Sequence, residues 1–295
     1  MNGILCIDKP KDFTSFDVIA KMRGIAHTRK IGHTGTLDPM ATGVLILLFG
    51  NATKAASLIT DKTKSYIASF TLGIVTDTQD ITGTITKRTE NFNIAKEEIE
   101  SVLKNFCGEI KQIPPMYSAV SVDGKRLYSL ARQGKEVERT PRTVNIIKLS
   151  LDEFDGVHGK ISVTCSEGTY IRTLIHDMGQ MLKVGAVLTE LNRTQASTFT
   201  LSDCITLEKA GELANSGALK DKLIPTDKLF SQYPAIYLSE KQASMFKNGI
   251  RLDKNRIKNN GEGIYRVYGN EFLALAKIVK DELIITKSFY SNTEG

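Results

Sequence analysis

Apolar residues recur along the chain with two periods, and the switches between them mark the elements. Gly3-Ile4-Leu5-Cys6-Ile7 is a short apolar run closed by Asp8-Lys9-Pro10, the pattern of a strand. Thr14-Ser15 then offers a helix cap, and Val18, Ile19, Met22 and Ile25 return at helical spacing. The run Val44-Leu45-Ile46-Leu47-Leu48-Phe49, ended by Gly50-Asn51, predicts a buried strand, and a helix is expected over 54–58. In 64–73 the alternation of Tyr66, Ala68, Phe70 and Leu72 predicts a strand with one buried face. The turn-rich segment 76–83 connects two strands, and Asn93 caps a helix bearing Ile94, Ile99, Val102, Leu103 and Phe106, stopped by Gly108. An alternating strand over 161–165 runs through a Gly168-Thr169 turn into a helix with Ile171, Leu174, Ile175, Met178 and Leu182 on one face. Leu207, Ala210, Leu213 and Ala214 mark a short helix over 206–216. Past a boundary near 231–234 the texture changes to one short helix, 239–248, and three strands, the last two in a hairpin around 280–282.

The stretch that organises this pattern is Gly32-His33-Thr34-Gly35-Thr36-Leu37-Asp38-Pro39-Met40-Ala41-Thr42-Gly43. Its glycines and proline force sharp turns, and Pro39 biases Asp38 toward extended geometry. One carboxylate is thus held on a stiff loop that leads directly into a core strand. This suits a nucleophile or base, and it equally suits an Asp-Pro turn cap. A nucleotide loop is a poor fit, because no Gly-Lys-Ser/Thr follows and no Gly-x-Gly-x-x-Gly precedes a helix. Farther on, Lys125, Arg126, Arg132, Lys135, Arg139 and Arg142 alternate with Gly124, Tyr128 and Gly134, as in a phosphate-binding surface or a solvated surface helix with loops. Arg172 falls in the first turn of its helix, where the dipole disfavours a cation, so it asks for a carboxylate partner or a surface position.

Composition narrows the classes only a little. The 295 residues accommodate one large domain and a small one, and 41% hydrophobic with 24% charged residues is ordinary for a soluble globular chain. A net charge of +6 is compatible with a polyanionic partner without requiring one. Cys6, Cys107, Cys165 and Cys204 form no Cys-x-x-Cys pair, and the four histidines show no ligand spacing, so neither a metal site nor a disulfide framework is expected. No apolar run approaches the length of a membrane span and no cleavable signal opens the chain, so a cytoplasmic protein is expected.

Gly-His-Thr-Gly-Thr-Leu-Asp-Pro-x-Ala-Thr-Gly-Val-Leu resembles the signature of the TruB family of pseudouridine synthases, which make pseudouridine-55 in the T loop of tRNA. Four further segments resemble the family in its order: the Lys9-Pro10 opening, Lys64-x-Tyr66 with Leu72-Gly73, Pro114-Pro115-x-Tyr117-Ser118-Ala119, and Gly168-Thr169-Tyr170-Ile171-Arg172. The resemblance implies an α+β pseudouridine synthase fold, with a mixed, mainly antiparallel sheet flanked by helices and a small C-terminal PUA-like β domain. It implies a catalytic domain over 1–231, with a basic RNA-binding insert at about 117–145, and an RNA-binding domain over 232–295. Asp38 would be the nucleophile, Arg172 its salt-bridge partner, and Tyr66 would stack on the target base. RNA contacts are expected from His33, Lys9, Lys64, Arg126, Arg132, Arg142 and Arg193; Tyr170 is either core or RNA-facing. The implied partner is the T arm of tRNA, bound by a monomer without metal, nucleotide or other cofactor. The family has Gly at the position of Asp12 and often Lys at that of Ser121, so the turn and the contact there differ. The rival reading is a non-enzymatic RNA-binding or tRNA-folding protein, which would need neither Asp38 nor Arg172.

Overall fold

Seven of the eight residues of the strand Thr42–Phe49 are buried, because helices cover one face of its sheet and a second β module covers the other. The computed structural model describes residues 1–122, 124–257 and 261–290. Among these, eight strands run in the order Cys204–Ile205, Gly3–Lys9, Thr42–Phe49, Ala186–Ala196, Lys64–Leu72, His158–Cys165, Arg142–Phe154 and Gly108–Gln112. Ile31–His33 and Phe199–Thr200 complete a ten-stranded, mainly antiparallel sheet. Alternate residues of the first strands divide between two cores. Leu5, Ile7, Leu45, Leu47 and Phe49 meet the helices Ser15–Ile25 and Leu207–Asn215 through Val18, Ile19, Met22, Leu207 and Ala210. Ile4, Cys6, Val44, Ile46 and Leu48 face the other way, toward Phe230, Leu275 and Phe289. In the other half of the sheet, Tyr66, Ala68, Phe70 and Leu72 pack on Leu174, Ile175 and Met178 of the helix Ile171–Met181. Ile99 and Leu103 of Lys96–Lys104 close that core.

The two halves meet where Thr42–Phe49 and Ala186–Ala196 run parallel, pairing Asn192 with Thr42 and Arg193 with Gly43. Gly43 is required there. Its φ is +101°, and a Cβ would stand 2.3 Å from the Arg193 carbonyl oxygen.

Some boundaries differ from those expected. The helix expected from Asn93 spans Lys96–Lys104, and its first turn is closed by Glu98, which accepts from the Ala95 N–H at 2.9 Å. The helix expected over 54–58 is an earlier 3₁₀ turn, Gly50–Ala55. The last residues of the segment 117–145 already belong to the sheet, where Arg142 pairs with Gln112.

After residue 231 a five-stranded sheet follows, in the order Ala235–Tyr237, Gly263–Tyr268, Phe272–Val279, Glu282–Ser288 and Leu252–Asp253. Lys280 and Asp281, with φ of +48° and +66°, form the tight turn of its hairpin. The module has its own core, yet Phe230, Phe272 and Phe289 interlock at ring distances of 5.1–6.3 Å and join it to the large sheet. Among the described residues, no helix is long and apolar enough to cross a membrane.

Candidate active site

Asp38 sits on the loop between Ile31–His33 and Thr42–Phe49, and both its neighbours are tied down by buried polar groups. On one side, Ser15 Oγ accepts from the Leu37 N–H at 2.9 Å and donates to the Leu37 carbonyl at 3.3 Å. On the other, the Pro39 carbonyl accepts from Lys9 Nζ at 3.1 Å and from the Asp12 N–H at 2.8 Å. Lys9 has no accessible surface and also donates to the Phe13 and Pro10 carbonyls, at 2.6 and 2.9 Å. Burial lowers its ammonium to about 8, against the pull of Asp38 and Asp12. Asp12 has φ +66°, a left-handed turn that favours Gly; Asp is among the residues that tolerate it.

Arg172 is placed by a second clasp of the same kind. The Gln112 side chain accepts from the Tyr170 N–H at 3.0 Å and donates to the Tyr170 carbonyl at 3.3 Å, fixing the start of the helix Ile171–Met181. Only 4% of the Arg172 side chain is exposed, while Asp38 keeps 34% open to the cleft. Arg172 Nη2 donates to Asp38 Oδ1 at 3.1 Å, and Nε lies 2.9 Å from Oδ2, off the line of a hydrogen bond. The remaining N–H groups reach Asp80 Oδ2 at 3.3 Å and the carbonyls of Thr78 and Tyr117 at 3.1 and 2.8 Å. Asp80 is held from its other oxygen by Thr78 and Thr82. One buried guanidinium therefore lies between two carboxylates. Burial raises the Asp38 carboxyl above its ordinary value; Arg172 opposes this and Asp80 adds to it.

Around this pair opens a cleft of about 570 Å³, lined by Tyr66, Tyr170, Leu37 and Leu191 and by the cations Lys64, Arg126 and Arg142. Tyr170, which the sequence left undecided, thus faces the cleft. Tyr66 is buried in the sheet opposite Val163 and Arg193, and burial raises its phenol. Lys64 is half-buried, and burial, then Arg193, lowers its ammonium. His33 accepts from the Gly35 N–H at 3.2 Å through Nδ1; burial, then Arg193, lowers it, so the ring is neutral at pH 7. Arg126 donates to the Ala119 carbonyl within the insert, and Arg132 lies over the Tyr128 ring at 5.7 Å, away from the cleft lining.

Two expected RNA contacts are corrected. Lys9 is enclosed by carbonyls. Arg193 is 1% exposed and donates to the carbonyls of Val44, Gly35 and Thr36 at 2.7, 3.2 and 3.4 Å. Both are internal pins of the Asp38 loop: the carbonyls around them satisfy their N–H donors and so offset part of the cost of burying the cations, while the loop gains donors for carbonyls turned inward. Asp80, Ser15 and Gln112 were not among the expected site residues; Asp80 had a signal, since Thr76-Asp77-Thr78-x-Asp80-x-x-Gly83 resembles the family, and Ser15 was read only as part of a helix cap.

Comparison with known proteins identifies the family. The family model for TruB family pseudouridylate synthase (N terminal domain) matches residues 23–171, and that for the tRNA pseudouridylate synthase B C-terminal domain matches 172–231. A tRNA pseudouridine synthase B of Clostridium tetani is 40% identical over 290 residues, covering 97% of this chain and 99% of the relative. That of Stutzerimonas stutzeri is 44% identical over 286 residues, covering 95% and 93%. Among solved structures, a Cbf5-Nop10-Gar1 complex matches with a TM-score of 0.72 at 25% identity, over 98% of this chain and 85% of the other. An H/ACA RNP bound to a substrate RNA containing 2′-deoxyuridine shares the fold, with a TM-score of 0.72 at 23% identity, over 99% and 86%. By sequence along almost its whole length and by fold, the chain belongs to the TruB family of pseudouridylate synthases.

Proposed function

We propose that this chain is a tRNA pseudouridine synthase that isomerises uridine-55 of the T loop, with Asp38 as the nucleophile. The observation that carries the assignment of Asp38 is its contact with Arg172 at the head of a cation-lined cleft. The reaction breaks the C1′–N1 bond, turns the uracil and joins its C5 to C1′; C5 gives up its proton and N1 takes one up, so the product is an isomer of the substrate. A buried carboxyl would drift toward its neutral form, and Arg172 favours the anion that the chemistry needs. The target base leaves its loop at a cost of a few kcal/mol, and stacking on the Tyr66 ring offsets part of that. Lys64, Arg126 and Arg142 neutralise phosphates at the rim, and His33 packs against the displaced loop. Residues 1–231 form the catalytic unit and 232–295 an RNA-binding module. The enzyme acts as a monomer in the cytoplasm, where its substrate is found.

The test uses unmodified tRNA tritiated at uracil C5, with release and binding measured for the wild type and for Asp38→Asn. The expected result is release by the wild type, a loss of about a thousandfold or more in the variant, and similar binding by both. Release by both would remove Asp38 from the chemistry. Tight binding with release by neither would favour the RNA-folding reading, to which the basic insert lends weight.

A further inference from the structure

Phe16 is out of place for a structural residue. Its side chain is 71% exposed on the first turn of Ser15–Ile25, while Ser15 and Val18 on either side of it are fully buried. Its backbone is capped and its ring has a neighbour. Thr14 and Asp17 form a reciprocal cap on that turn, with bonds of 2.8 and 3.0 Å, and the ring stands edge-on to His33 with centroids 5.7 Å apart and planes at 85°. The preceding residue, Ser15, clasps Leu37, which precedes Asp38. Phe16 and Asp38 are therefore each one residue from the same pair of hydrogen bonds, and their separation is fixed by the fold.

The surroundings identify what such a ring would meet. Asp17 and Thr14, beside it, are consumed by the cap, and among the described residues of the segment 10–30 no other large apolar side chain is exposed. An isolated ring among polar groups is a poor anchor for a protein partner, which would need a contiguous apolar patch. The same segment is rich in exposed cations: Lys11, Lys21, Arg23, Arg29 and Lys30. Arg23 lies two helical turns from Phe16 on the same stripe, about 10 Å along the axis, roughly the rise of three stacked bases. A flat π-face with cations at nucleotide spacing is the composition of a single-strand stacking platform.

We propose that Phe16 is a substrate-positioning residue: its ring stacks on an unpaired base of the T loop next to the extruded uridine, and Arg23 takes a phosphate of the same strand. The inference rests on tRNA being the substrate. Phe16 and the His33 edge together make one aromatic corner, so the flanking nucleotide is registered against the Asp38 loop rather than against the mobile ends of surface lysines. Stacking is tolerant of base identity, so the contact sets position and affinity, not sequence.

The experiment measures equilibrium binding of unmodified tRNA across a salt series, and single-turnover tritium release, for the wild type and for Phe16→Ala, Phe16→Leu, Phe16→Tyr and Arg23→Gln. Phe16→Ala and Phe16→Leu are expected to weaken binding about tenfold with an unchanged salt slope, and to raise by a similar factor the enzyme concentration that gives half-maximal single-turnover release. Phe16→Tyr restores both, because it returns the π-face that leucine lacks. Arg23→Gln lowers the salt slope by about one phosphate contact. Thermal midpoints within a degree or two of the wild type would exclude a folding defect. Binding by Phe16→Ala within twofold of the wild type would overturn the proposal, as would full rescue by leucine. If the wild type binds tRNA but releases no tritium, the catalytic assignment fails while the binding series still decides on Phe16.

Discussion

Arg172 carries several burdens at once, and its replacement separates them. Arg172→Lys keeps the charge but loses the planar fork that spans Asp38, Asp80 and two carbonyls. Tritium release under single-turnover conditions is expected to fall about a hundredfold or more. The pH profile is also expected to move. As the proposed nucleophile Asp38 must be ionised, so activity is expected to be lost as pH falls through its raised value; with a weaker partner the value rises further and the acid limb shifts to higher pH. An unshifted limb would mean that Arg172 only orients the carboxylate. Elsewhere on the same helix, Asp177 makes no hydrogen bond or ion pair among the described residues, and burial pushes its carboxyl up from 3.8 to about 6. Its folded value lies above the unfolded one, so the stability it contributes is complete below about pH 4 and lost as pH rises through 6. Asp177→Asn is therefore expected to raise stability by about 1–2 kcal/mol at pH 8 and by nothing near pH 4, read from urea midpoints.

The elements were legible where a local pattern decides them, and illegible where distant chain does. The strand Lys64–Leu72 and the helix Ile171–Met181 follow their apolar periods, and the Asp38 loop announces itself by its glycines and proline. The pairing of Asp38 with Arg172 came from the family resemblance, since helical position alone asked only for a carboxylate or a surface site. Lys9 and Arg193 were misread as RNA-facing because a cation's burial depends on carbonyls far along the chain: Pro39 for Lys9, and Gly35, Thr36 and Val44 for Arg193. No window of sequence contains both partners. The strand junction makes the same point as an experiment. Gly43→Ala would place a methyl on the Arg193 backbone in a left-handed conformation, so it is expected to cost about 3 kcal/mol and to loosen the Asp38 loop with it. Denaturant midpoints measure the first effect, and hydrogen exchange at Ala41 and Leu37 the second. A midpoint unchanged from the wild type would show that the two strands can part at that point without loss.

In the whole molecule, the β module is built into the large sheet's core, with Leu275 and Phe289 packed among Ile4, Val44 and Phe230. Ending the chain after residue 231 would bare that surface, and the remaining catalytic unit is expected to melt about 5–10 °C lower and to bind an apolar dye. An unchanged melting point would mean that the ring cluster is a contact without structural weight. The order of strands in the large sheet has a consequence in time. Gly3–Lys9 and Thr42–Phe49 emerge early from the ribosome, as does Lys64–Leu72, but the strand that joins them, Ala186–Ala196, is made late. At about 5–20 residues per second, the early strands wait roughly 6–40 s for their missing neighbour. Arg193, one of the two cationic pins of the Asp38 loop, arrives with it. A nascent chain of the first 190 residues thus carries the signature motif without the support that shapes it, and translation itself withholds the activity until most of the protein has been made.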